Sequence, residues 1–181
     1  VLFGAPFDSS TSFRAGTRFA GQAVRNDSYG LEIYSPYQDK ELPENIIYDC
    51  GDLEMAVGSP EMALDQIESC VAEIVQDGKI PFMIGGEHLV TLGSLRAVAE
   101  KYPDLHIIHF DAHTDLRQDY LGVRLSHACV IRRCWEVLEE SGNKADGRIH
   151  QFGIRSGEKE EFQWARAGHT DFHPFTLDGL E

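Results

Sequence analysis

The chain has 181 residues, of which 42% are hydrophobic, 10% aromatic and 25% charged. That composition fits a single globular domain over residues 1–181 and excludes disordered, collagen-like and disulfide-scaffold chains. Thirty acidic against 16 basic residues give a formal net charge of −14, which disfavours nucleic acid and anionic membrane as partners and admits a cationic ligand.

Short apolar runs alternate with helical patterns of ten or more residues, the mark of βαβ units and a parallel sheet. Strands are predicted near Val1–Gly4, Ile46–Asp49, Ile80–Ile84, Leu105–Phe110, Arg148–Ile154 and Asp171–Phe175. Ser59-Pro60-Glu61 is a cap, a first-turn proline and an acid at the positive helix end, and Leu64, Ile67, Val71, Ile74 and Val75 follow on one face until Asp77-Gly78. A second helix is predicted from about Leu89 to Lys101, and a third from Cys129 to Glu140. The Arg14–Arg18 and Tyr29–Asn45 regions have no steady period and read as loops. The chain starts at Val1 inside an apolar run and stops at Glu181 as a new element begins, so both ends are expected to be cut.

No apolar run approaches the roughly 18 residues of a spanning helix. Cys50, Cys70, Cys129 and Cys134 form no Cys-x-x-Cys pair, so a reducing compartment, the cytoplasm, is expected.

In open parallel sheets ligands gather outside the carboxyl ends of the strands. Two such ends carry ligand-type residues: Gly85-Gly86-Glu87-His88 and Asp111-Ala112-His113-Thr114-Asp115. Asp, His and Asp at alternate positions can converge on one divalent ion. Taken singly, His88 reads as a hydrogen-bonded loop histidine and Asp115 as a helix cap, but the Asp111–Asp115 cluster leaves several polar groups in need of partners, which a metal supplies together. His106 and His109 lie within a strand and read as satisfied core or edge histidines. His127 follows the cluster by a short loop and can face the same cleft.

These motifs, in this order, resemble the ureohydrolase family, most closely its agmatinase branch. Gly4-Ala5-Pro6-Phe7-Asp8, Arg14-Ala15-Gly16-Thr17-Arg18, Asp49-Cys50-Gly51-Asp52-Leu53, Ser126-His127-Ala128 and Gly153-Ile154-Arg155 extend the resemblance over nearly the whole chain, although Gln22 stands where the family usually has a proline. The resemblance implies a parallel β-sheet flanked by helices on both faces, a three-layer α/β/α fold incomplete at its C-terminal side. It implies two Mn²⁺ ions, with His88 and Asp115 on one, His113 on the other and Asp111 bridging, and His127 as the catalytic proton carrier. Agmatine, a small cationic guanidino compound, would be hydrolysed to putrescine and urea in polyamine biosynthesis, by a homo-oligomer, a trimer or hexamer. The loop Leu116–Leu125 lacks the asparagine-bearing pattern associated with arginase, so agmatine fits better than arginine or guanidinobutyrate.

The family's later Asp-x-Asp pair and the glutamate that meets the guanidinium group are absent from the 181 residues. Two divalent ions bring four positive charges, of which Asp111 and Asp115 cancel two, leaving an excess that repels a guanidinium. The chain alone is therefore expected to bind manganese weakly and turn over little. The alternative is a non-catalytic relative that binds partners or assembles with longer subunits. A dinuclear metallophosphoesterase fits less well, because it needs a Gly-Asn-His block that this sequence lacks.

Overall fold

The computed structural model describes residues 1–142 and 144–173. In chain order these form β1 (Leu2–Ala5), α1 (Ala20–Asp27), the small hairpin β2 (Tyr34–Ser35) and β3 (Lys40–Glu41), β4 (Asp49–Asp52), α2 (Pro60–Gln76), β5 (Phe82–Gly85), α3 (Val90–Lys101), β6 (Ile107–Phe110), α4 (Val130–Glu140), β7 (Ile149–Phe152), α5 (Lys159–Trp164) and β8 (Asp171–His173). The predicted strand Asp171–Phe175 lies within the described residues only as far as His173.

Apart from the antiparallel β2–β3 hairpin, the described strands are parallel and form two sheets, ordered β4-β1-β5 and β6-β7-β8. The ladders register Leu2 with Phe82 through Ala5 with Gly85, and Ile107 with Ile149 through Phe110 with Phe152. Among the described residues β5 and β6 do not pair with each other. A groove of about 280 Å³ lined by Met83, Leu95, Val98 and Ile107 separates them over α3. Phe82, Ile108 and Phe110 stand exposed on these strands. α2, α3 and α4 pack side by side, with α3 in the middle, and bury Leu64, Ile67, Val71, Leu92, Ile131 and Leu138 with Phe3 and Ile149 in one core. The helices thus flank parallel sheets, as the alternating pattern predicts.

α2 starts as its sequence dictates: the Ser59 hydroxyl accepts the Met62 N–H at 3.2 Å and Pro60 occupies the first turn. It ends at Gly78, whose φ of 69° lets the Lys79 N–H return to the Ile74 carbonyl at 3.0 Å.

Three expectations shift. The strand expected at Ile46–Asp49 sits three residues later, at Asp49–Asp52; Ile46, Ile47 and Tyr48 are exposed, and Arg25 pins Asp49 and Asp52 at the sheet edge. The Arg14–Arg18 loop runs into a 3₁₀ turn at Thr17–Phe19, then α1, which buries only Gly21 and so has no apolar face to betray it. The Tyr29–Asn45 loop contains the β2–β3 hairpin, too short and too exposed to show a period.

Candidate metal centre and cleft

Gly86, the first residue after β5, is glycine because backbone passes over it. The Gly86 N–H donates to the Ala5 carbonyl at 2.9 Å and the Glu87 N–H to the Phe7 carbonyl at 2.8 Å. A β-carbon on Gly86 would lie 1.9 Å from the Phe7 carbonyl oxygen. This contact turns the chain so that Glu87 goes inward and His88 stands half-buried at the strand ends.

The loop after β6 is held by backbone and by side chains: the Thr114 N–H donates to the Ser156 carbonyl at 3.2 Å, and the Arg155 and Ser156 N–H groups donate to the Ala112 carbonyl at 2.9 and 3.0 Å. Asp111 accepts the His113 N–H at 2.9 Å in a local turn. Glu161 of α5 is buried and accepts the Thr114 hydroxyl at 2.5 Å, the Leu116 N–H at 2.9 Å and the Glu158 N–H at 2.7 Å, the last as half of a capping box. Asp115 is left-handed at φ 50°, an uncommon conformation that aspartate tolerates better than most residues. Its carbonyl accepts the Ile131 N–H at 3.1 Å, seating the first turn of α4 on the loop.

These two loops bring His88, Asp111 and Asp115 together. His88 Nδ1 is 2.7 Å from Asp115 Oδ2 and 3.7 Å from Asp111 Oδ2. Among the described residues, His88, His109, Asp111 and Asp115 offer ligand atoms that all lie within 4.8 Å of one another. His113 is outside that group; its ring is largely exposed, with Nδ1 3.4 Å from Asp111 Oδ1. His109 is the residue that sequence reasoning missed. Instead of a satisfied core histidine, it is buried with Nε2 lacking a hydrogen-bond partner among the described residues, stacked on His88 at 5.1 Å and 3.4 Å from Asp111 Oδ2. No local sequence signal separates it from an ordinary strand histidine. Burial and the adjacent His88 ring push the His109 pKa down. Burial raises that of Asp111, but the His113 N–H and the His109 and His88 rings outweigh it and hold this carboxyl below its usual range.

Two carboxylates and an imidazole converging on one point form a donor set suited to a hard or borderline divalent ion. His109 Nε2 lies buried beside them, 3.4 Å from Asp111 Oδ2.

A cavity of about 600 Å³ opens over this cluster, walled by Ser12, Phe13, Tyr120, His127 and Glu158. His127 is placed by Ser10, whose hydroxyl accepts the His127 N–H at 3.1 Å and itself donates to the buried Glu87 carboxylate. Glu87 also accepts the Ser10 N–H at 2.7 Å. The His127 Nδ1 is 3.8 Å from Glu87 Oε2, Nε2 is 3.5 Å from the Ser12 hydroxyl, and Tyr120 meets the ring edge-on at 5.4 Å. The Ser9–Arg18 segment bearing Ser12 and Phe13 is tied down by Asp8, which accepts the Gly16 N–H at 2.7 Å and pairs with Arg18 at 3.0 Å. Glu87, Asp111, Asp115, Glu158 and Glu161 around Arg117 give the cavity an acidic balance that favours a cation.

A model of the arginase family matches residues 1–180. An agmatinase of Bacillus subtilis (strain 168) is 47% identical over 166 residues, 92% of this chain and 55% of that protein. An agmatinase of Bacillus anthracis is 44% identical over 177 residues, 98% of this chain and 59% of that protein. A solved structure from Clostridium difficile superposes with a TM-score of 0.90 at 50% identity, covering 99% of this chain and 63% of that one. The chain thus spans a little over half the length of the curated relatives it matches.

Proposed function

The chain belongs to the arginase family, and from that premise we propose that the protein of which these residues form the metal-bearing part hydrolyses agmatine to putrescine and urea with manganese. The observation that carries the reading is the convergence of His88, Asp111 and Asp115 beneath an acidic cavity with His127 on its wall. The names of the relatives at 44–47% identity support agmatine as the substrate.

His88, Asp111 and Asp115 would hold the metal, and His113 at the rim would serve a second ion. Bound there, divalent ions lower the pKa of water enough for hydroxide to exist near neutral pH. The chain's own residues do the rest. The acidic wall draws in the guanidinium and offsets its charge. A guanidinium carbon is deactivated by resonance, so orienting it against the nucleophile supplies much of the rate. The departing amine must leave protonated. His127 lines the cavity and can deliver that proton, while Ser10, itself bonded to the buried Glu87, fixes its backbone. Cytoplasmic location and homo-oligomeric assembly belong to the same proposal.

The test is urea release from agmatine, with arginine and guanidinobutyrate alongside, after Mn²⁺ loading. Urea from agmatine that disappears in Asp111→Ala supports the reading; urea from arginine in its place overturns the substrate. A second reading rests on the sequence lacking any Asp-x-Asp. On that reading the 181 residues alone turn over little, and robust activity of this chain by itself would contradict it.

A further inference from the structure

The four-residue cluster contains two histidines, and they need not do the same job. We infer that His109 is a positioning residue: it presents an N–H from Nε2 to the Asp111 carboxylate and is not itself a metal ligand. The inference deepens the proposed function and rests on its metal centre.

Gln151 of β7 is fully buried. Its amide nitrogen lies 2.9 Å from the Thr114 backbone carbonyl and 2.9 Å from His109 Nδ1. Its amide oxygen accepts the Thr170 hydroxyl at 3.1 Å. A carbonyl oxygen can only accept, so the group facing Thr114 has to be the NH₂ end. That end has two hydrogens, one for Thr114 and one for His109, so His109 Nδ1 must present its lone pair. In the neutral ring the single proton then sits on Nε2.

Nε2 is buried beside the cluster and has no hydrogen-bond partner among the described residues; the nearest acceptor is Asp111 Oδ2 at 3.4 Å, so its N–H can be offered to nothing nearer than that carboxylate. A protonated nitrogen has no lone pair to give a metal, but it can hold a ligating carboxylate, as the outer partners of metal sites commonly do. For His109 to coordinate, its proton would have to move to Nδ1, against the Gln151 NH₂. Turning the amide over would then set its oxygen 2.9 Å from the Thr114 carbonyl, acceptor against acceptor, in a place sealed from water. The chain Thr170–Gln151–His109–Asp111 thus fixes the ring as a donor.

Long-range ¹H–¹⁵N spectra of histidine-labelled, metal-free protein read the tautomer directly. Protonated Nε2 with bare Nδ1 is expected for His109; protonated Nδ1 overturns the inference. The second arm uses Mn²⁺ alone, with pulsed EPR counting nitrogens bound to it. The number of coupled nitrogens is expected to be unchanged in His109→Gln, whose amide can still donate to Asp111, and to fall by one in His88→Gln. Mn²⁺ affinity is expected to stay within about threefold in His109→Gln but to fall 10–100-fold in His109→Leu, the usual cost of losing an outer partner. One nitrogen fewer in His109→Gln makes His109 a ligand and overturns the inference. Should the parent protein bind no Mn²⁺, the metal centre itself fails and the positioning role with it, whereas the wrong tautomer in a protein that does bind Mn²⁺ sinks this inference alone.

Discussion

The loop after β5 and the loop after β6 present ligand-type side chains to the same cavity, but the first turns on a backbone approach that only glycine allows, whereas the second, besides its backbone bonds to Arg155 and Ser156, leans on side chains from far along the chain. Gly86 and Glu87 hydrogen-bond to carbonyls of Ala5 and Phe7, next to the strand they follow in the sheet. The Asp111–Leu116 loop depends on Glu161, 45 residues beyond Leu116, and on Gln151 through the Thr114 carbonyl. A loop clasped by backbone writes itself into the sequence as glycine. A loop clasped by remote side chains leaves its ligands visible and its supports hidden.

The largest effect should come from breaking the backbone clasp. Gly86→Ala forces a β-carbon against the Phe7 carbonyl, which cannot move without the strand end, and should cost about 3 kcal/mol in urea unfolding. A loss below 1 kcal/mol would mean that the approach is softer than the structure has it.

Glu161→Ala breaks the other clasp. Losing the acceptor for Thr114, Leu116 and Glu158 should cost about 2 kcal/mol. It should also weaken Mn²⁺ binding about tenfold, without touching a ligand. Glu161→Gln should recover part of both losses.

Asp8 sharpens the comparison through pH. Burial raises its pKa, but the Arg18 and Gly16 N–H groups and the Arg18 guanidinium outweigh that and hold it below the usual carboxylate value. A depressed folded pKa means that stability from Asp8 is complete above about pH 4, the unfolded value, and is lost as pH falls through the lower folded one. Asp8→Asn should therefore flatten the acid limb of the Tm–pH curve, with a loss of about 1 kcal/mol at pH 7; an unchanged acid limb would remove Asp8 from the account.

The smallest effect is chemical. Cys134 lies on α4, seated on the Asp115 carbonyl, and burial pushes its thiol up to about 12. Iodoacetamide should modify exposed Cys50 and spare Cys134 in the native chain. Labelling of Cys134 should quicken in Glu161→Ala if the second loop holds α4 in place.

The asymmetry between the loops also marks what the sequence makes legible. His88, Asp111 and Asp115 stand out because apolar strands hand over to ligand-type residues at known offsets. His109 does not, because its role depends on which way Gln151 turns, a contact 42 residues away. Glu161 hides for a related reason: α5 has a glutamate N-cap, outside the usual Ser, Thr, Asp or Asn, so neither the helix nor its capping box announces itself. α2 is legible to the residue at its start, since cap, proline and apolar face agree. β4 is misplaced because its apolar run is exposed and its actual strand is the polar Asp49–Asp52, fixed by Arg25.

The most direct test of the metal centre is equilibrium binding of Mn²⁺, followed by the EPR signal of the free ion, in the parent protein and in Asp111→Asn. Saturable binding that weakens by at least tenfold in the variant, with the fold intact by circular dichroism, is the predicted result. Equal binding by the two proteins would contradict the assignment of Asp111, and with it the account of why the two loops converge.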